Sequence, residues 1–173
     1  MAKSAGVIEY DRDFGKETHD DQRMFELLTV GVFQVGLSWQ AAASKLPAYR
    51  RNFYQMDIAK VAAMDLENID NVLNDPNMIR NPRKIRAVIK NARAIIGVQK
   101  EYGSFANYMW NFVDEVPHTK SYETRDEVET STPFAGKVAK DMKKHGFTFV
   151  GPTVTYMFMK ACGMIQDQVW DNS

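Results

Sequence analysis

The sequence predicts an all-α domain on three observations. Nearly every segment from Asp20 onward carries apolar residues at helical spacing, capping residues and prolines mark where those segments start, and no strand pair, heptad run or internal repeat is visible. With 173 residues, 45% of them hydrophobic and 25% charged, the chain has the length and composition of one domain with its own core, residues 1–173.

Asp20 and Asp21 can cap a first helix, whose apolar positions Met24, Phe25, Leu27 and Leu28 continue through Val30 to Phe33 until Gly36 breaks it. A second helix begins near Ser38 with Trp39, Ala42, Ala43 and Leu46 on one face. Pro47 starts or kinks the next turn, and Tyr49, Phe53 and Tyr54 carry the stripe toward Met56. Asp57 suits the cap of a short helix over Ile58, Val61, Ala62 and Met64, and another runs from Leu66 to Leu73. Asn81-Pro82 is a strong start signal, because Asn caps and Pro is pre-set for the first helical position. The pattern Ile85, Val88, Ile89, Ala92, Ile95, Ile96 then persists to Gly103, so this is the longest helix expected.

Ser104 opens a helix with Phe105, Tyr108, Met109, Phe112 and Val113 inward. The stretch 114–133, polar, rich in Thr, Glu and Asp and flanked by prolines, reads as a long, mobile loop. A basic helix from about Phe134 to His145 ends at Gly146. A short non-helical run, Phe147 to Pro152, separates it from a last helix over Thr153 to Gly163.

Twenty-two basic and twenty-two acidic residues cancel, so any affinity for nucleic acid must arise from local clustering. Such clustering exists. Between Pro76 and Lys100 stand Arg80, Arg83, Lys84, Arg86, Lys90, Arg93 and Lys100 with no acidic residue, and Lys137, Lys140, Lys143 and Lys144 form a second group. The single cysteine, Cys162, can form no intrachain disulfide and suits a reducing, cytoplasmic setting; its place on the apolar face of the last helix reads as core. The N-terminal residues have no apolar signal-like region and the chain has no run of about 18 apolar residues, so neither secretion nor a membrane span is expected.

Phe149-Val150-Gly151-Pro152-Thr153, between a basic helix and an apolar one, has the shape of a helix-hairpin-helix, spanning about 135–163. In that motif the turn and the following helix N-terminus present backbone N–H groups to a phosphate. After it comes Tyr156-Met157-Phe158-Met159-Lys160-Ala161-Cys162-Gly163-Met164. Before it stand Gln34-Val35-Gly36-Leu37-Ser38-Trp39, Ile79-Arg80-Asn81 with Lys84-Ile85, Asn91-Ala92-Arg93-Ala94, and Gly103-Ser104-Phe105 with Trp110. In order and spacing these motifs closely resemble the DNA-3-methyladenine glycosylase I family, from about Ile8 to Val169. The resemblance implies a helical helix-hairpin-helix fold that binds duplex DNA in the minor groove, flips out a methylated adenine and cuts its N-glycosidic bond.

A base must leave the stack before its sugar bond can be attacked, so the protein needs aromatic surfaces to receive it and a wedge to fill the gap. By resemblance Tyr10, Phe14 and Trp39 form the base pocket, with Phe14 where Trp is usual; each of these rings could equally be core. Gln34, Gly36, Leu37 and Ser38 resemble the loop that approaches the vacated stack, with Leu37 as the wedge. Lys143, Lys144, Val150, Gly151 and Thr153 match the hairpin surface that meets the phosphates.

Two departures from the family pattern stand out. The family places a Glu eight positions before the Trp of Gly-Leu-Ser-Trp, accepting hydrogen bonds from the base and favouring its positive charge. Here that position is Gly31. Glu26 lies about 140° around the same helix and cannot replace it, so the pocket is expected to stand open between Tyr10 and Trp39. Asp167 matches a family Asp and is the candidate catalytic carboxylate that remains, a helix or turn cap being its other reading. The family also commonly ties its termini with a zinc ion. The matching positions here are Asp11, Gln168 and Asn172, and no Cys precedes Cys162, so all four ligands are gone together and no metal or cofactor is expected.

Three functions remain open: a divergent glycosylase acting on an alkylated purine such as 3-methyladenine in double-stranded DNA, a non-catalytic damage-binding homologue, and a helical protein-interaction domain using the acidic 114–129 segment. Gln34, Gly36, Leu37, Trp39 and the hairpin favour the first two, and Gly31 separates them. Nothing in the sequence calls for an obligate protein partner.

Overall fold

The computed structural model describes residues 4–170. Ser4 accepts the Val7 N–H at 3.3 Å and caps α1 (Ala5–Asp13), a helix in a segment for which the sequence reading gave none. Only Val7 and Tyr10 carry its apolar face, too few to show a period. Gly6 lies at its crossing with the helix Trp39–Ala43, where a Cβ would collide with the Ala43 carbonyl oxygen. The central helix α2 (Asp21–Gln34) is capped by Asp20, whose carboxylate accepts from Gln22 N at 3.1 Å. Met24, Phe25, Leu27, Leu28, Val30 and Phe33 are buried around its whole circumference, as befits a helix in the middle of a core.

Ser38 caps α3 (Trp39–Ala43), and Pro47 sits in the first turn of α4 (Leu46–Asn52). A left-handed turn over Tyr54–Met56 reverses the chain. Asp57 caps α5 (Ile58–Ala62), and Asp65 and Asn68 form a reciprocal capping box on α6 (Leu66–Leu73). Asn81 and Pro82 start α7 (Pro82–Tyr102), the longest helix, which ends at Gly103 as expected. α8 (Phe105–Trp110) follows the Ser104 cap. Its first N–H groups, Phe105 and Ala106, also donate to the Asp21 carboxylate at 2.9 and 2.8 Å, tying it to the start of α2.

The helical class holds with one correction. The segment read as an unstructured loop contains the strand β1 (His118–Tyr122) and a 3-10 turn at Arg125–Glu127. The strand pairs in parallel with β2 (Ile165–Val169), from His118 opposite Ile165 to Tyr122 opposite Val169. Asp167 therefore lies on a strand and caps neither a helix nor a turn. Both strands are short and half-exposed and carry no apolar alternation. Their pairing rests on backbone hydrogen bonds between distant segments, to which a periodicity reading is blind.

The crossover between the strands is the hairpin, α9 (Pro133–Lys144) and α10 (Pro152–Ala161). Asn91 fixes it to α7: its amide nitrogen donates to Thr148 O at 3.1 Å and its amide oxygen accepts the Thr148 N–H at 2.8 Å. Bonds from Gly15 N to Ala161 O and from Thr18 N to Cys162 O hold the N-terminal segment against α10. No helix among the described residues is long and apolar enough to cross a membrane.

Candidate functional site

Where α1, α2, α3 and α10 converge, a cavity of about 280 Å³ is lined by Tyr10, Asp11, Phe14, Gln34, Trp39 and Met157. The sequence-predicted rings come together here. Tyr10 and Trp39 are 6.1 Å apart between centroids, and Tyr10 meets Phe14 edge to face at 5.7 Å. Phe14 and Trp39 are only half-buried, which leaves π surface for a planar guest. Burial pushes the Tyr10 phenol well above its usual range, so its hydroxyl stays neutral.

A second cavity of about 300 Å³ lies beyond Gln34 and Met157, which line both spaces. Its other lining residues include Gly31, Gly36, Thr153 and Val154. Gly31 therefore borders the space between α2 and α10, which adjoins the aromatic cavity at Gln34 and Met157.

The loop after α2 turns at Gly36, whose φ of +79° is a conformation that other residues adopt at a cost, and Ser38 ends it by accepting the Ala41 N–H. Leu37 stands on this loop 44% exposed, an apolar side chain offered to solvent. Beneath it Lys84, counted in the sequence among the clustered basic residues, is buried. Its ammonium donates to Phe33 O at 3.0 Å and to Val35 O, closing the C-terminal end of α2, and desolvation lowers its pKa.

At the hairpin, Gly151 begins α10 with open space around its Cα, and Thr153, Lys143 and Lys144 are exposed. Val150 is fully buried, so it offers backbone alone.

Asp167 is not brought to the cavity. Its carboxylate pairs with the buried Lys160 ammonium at 2.7 Å, which also donates to Glu129 O. Glu26 is likewise committed, held by Arg23 and by Arg50, which grips Glu9 as well. The acidic side chain that does line the cavity is Asp11, read from the sequence only as the site of a missing metal ligand. The other member that sequence reasoning missed, Met157, sits inside a recognised motif, which was the available signal.

Asp11 and Gln168 offer a carboxylate and an amide, a donor set unsuited to structural zinc, and Asn172 lies outside the described residues. Among the described residues no group of three or more His, Cys, Asp or Glu side chains could hold a metal ion.

A helical hairpin, an exposed apolar loop after α2 and an aromatic cavity between α2 and α10 define the class: a helix-hairpin-helix protein of the DNA glycosylase kind. The family model for methyladenine glycosylases matches residues 2–172, and the chain belongs to that family. DNA-3-methyladenine glycosylase 1 of Escherichia coli K12 is 38% identical over 163 residues, 94% of this chain and 87% of that protein. A solved 3-methyladenine DNA glycosylase I variant in complex with 3-methyladenine superposes with a TM-score of 0.91 at 29% identity, covering 98% of this chain and 92% of that one. The enzyme from Staphylococcus aureus gives 0.89 at 30% identity, covering 95% and 88%.

Proposed function

We propose that the protein is a base-excision glycosylase that hydrolyses the N-glycosidic bond of an alkylated purine such as 3-methyladenine in double-stranded DNA, in the cytoplasm and without a cofactor. The observation that carries this reading is the cavity itself: Tyr10, Phe14 and Trp39 gathered beside Leu37 and linked through Met157 to the hairpin helix.

N3-alkylation makes the base cationic while it is bonded to the sugar, so it leaves readily. The bond's electron pair neutralises the departing base, and water supplies the hydroxyl at the sugar carbon and releases a proton. The protein's task is chiefly to extrude and hold the base. Leu37 fills the gap in the stack, the rings receive the base, and their faces favour its positive charge. Gln34 supplies a neutral amide at the wall and Asp11 the carboxylate. The hairpin backbone at Gly151 and Thr153, with Lys143 and Lys144, holds the phosphates.

Gly31 favours a second reading, in which the protein binds damaged DNA without hydrolysing it, because the family's base-reading carboxylate is absent and neither Glu26 nor Asp167 replaces it. A glycosylase assay on alkylated genomic DNA with the released bases identified, beside a binding assay on duplex carrying an abasic-site analogue, decides between them. Release of 3-methyladenine supports the enzyme, binding without release supports the second reading, and no release together with no binding overturns both.

A further inference from the structure

Beyond Pro82, and up to Lys100, the exposed positions of α7 are Arg83, Arg86, Lys90, Arg93, Gly97 and Lys100. They recur every three or four residues and so share one face. Up to Lys100 that face carries five basic side chains over about 25 Å, at 1.5 Å rise per residue, and Glu101, which ends it, is paired with His145 at 3.5 Å. Like charges so spaced on a helix repel each other. Among the described residues none of the five forms an ion pair within 4.0 Å, and Arg93 instead donates to the carbonyls of Ala62 and Met64. In a chain of zero net charge this is a local field of net positive sign, which suits a polyanion; Asp65 lines the same groove as Arg86, Lys90 and Arg93 and offsets one charge of it.

The position of the face in the fold says which polyanion. The Arg83 guanidinium stands 5.8 Å above the Phe149 ring, in the turn of the hairpin. The next residue, Lys84, holds the carbonyls of Phe33 and Val35 under the wedge loop. The first turn of α7 is therefore wedged between the two loops assigned to DNA, and its basic face runs away from that junction. Farther along, Asn91 clamps the hairpin at Thr148, so helix and hairpin hold one orientation.

We propose that this face is a second phosphate track, which holds duplex DNA flanking the flipped nucleotide over about seven base pairs at 3.4 Å each. It rests on the DNA-binding reading above. Arg86, Lys90 and Lys100 are its free members, since Arg83 and Arg93 also have contacts within the protein, and of the three Arg86 and Lys90 stand nearer the hairpin turn.

The test compares the intact protein with the Arg86→Gln, Lys90→Gln double variant on duplexes of about 8 and about 24 base pairs carrying an abasic-site analogue, with affinity measured against salt. The expected result is about tenfold weaker binding of the long duplex and a salt slope shallower by about two, one per lost phosphate contact, with the short duplex unaffected. Unchanged thermal melting and recovery by Arg86→Lys with Lys90→Arg separate charge from folding. Unchanged affinity and slope on the long duplex overturn the track and leave the face to an acidic protein surface. Intact protein that binds neither duplex overturns the DNA reading itself, and the track with it.

Discussion

Gly31 on α2 faces Val154 on α10 so that a Cβ built on Gly31 would stand 3.6 Å from Val154 Cγ1. That is ordinary van der Waals contact. The backbone at this point is helical, and the groove beside it has room for a side chain. A longer side chain at position 31 would therefore meet an open groove.

Gly31→Glu should consequently fold normally and raise release of 3-methyladenine from alkylated DNA. A charge-assisted contact contributes roughly 1.5–3 kcal/mol, or on the order of ten- to a hundredfold. Single-turnover excision rates measure it. Full activity of the unmodified protein, unaltered by the substitution, would mean that another group reads the base.

Charge reversal at Lys143 and Lys144 should weaken binding to short and long duplexes about equally, because these exposed lysines at the end of α9 neighbour the hairpin turn proposed to hold the phosphates. Unaltered affinity on both duplexes would remove the hairpin from the docking surface.

Arg50 joins Glu9 of α1 to Glu26 of α2 with bonds of 2.6 to 2.9 Å, and so steadies the helix that carries Tyr10. Arg50→Met leaves the nearly buried Glu26 with Arg23 alone and should cost about 2 kcal/mol in denaturant unfolding at pH 7, less than a fully buried pair because Arg50 is partly exposed. The hydrogen bond to Arg50 holds the Glu9 carboxyl below its ordinary 4.5. The stabilisation it contributes is complete above that pH and is lost as pH falls through the lowered value. The gap between variant and parent should therefore narrow in acid, and a gap constant from pH 7 to pH 3 would contradict the assignment.

Cys162 is fully buried, and desolvation pushes its thiol far above the usual range. Thiol reagents should leave it untouched in the native protein and modify it only at the rate of unfolding. Fast stoichiometric labelling without denaturant would show that this helix end opens readily.

The sequence alone determined the order and starts of the helices from Asp20 onward, since a cap such as Asn81 with Pro82, or Ser104 before Phe105, acts within a single turn. It also determined the aromatic set Tyr10, Phe14 and Trp39 and the absence of a carboxylate at position 31, because motif order survives in one dimension. The tertiary structure decided the rest. β1 and β2 lie far apart in the sequence and are set side by side by the α9–α10 crossover between them. The same charge means different things in different surroundings: Lys84 is buried under the carbonyls of Phe33 and Val35, Asp167 is consumed by Lys160, and Asp11 is turned to the cavity. Hydrogen-bond partners and desolvation depend on neighbours from other segments, and those neighbours exist only after the chain has folded.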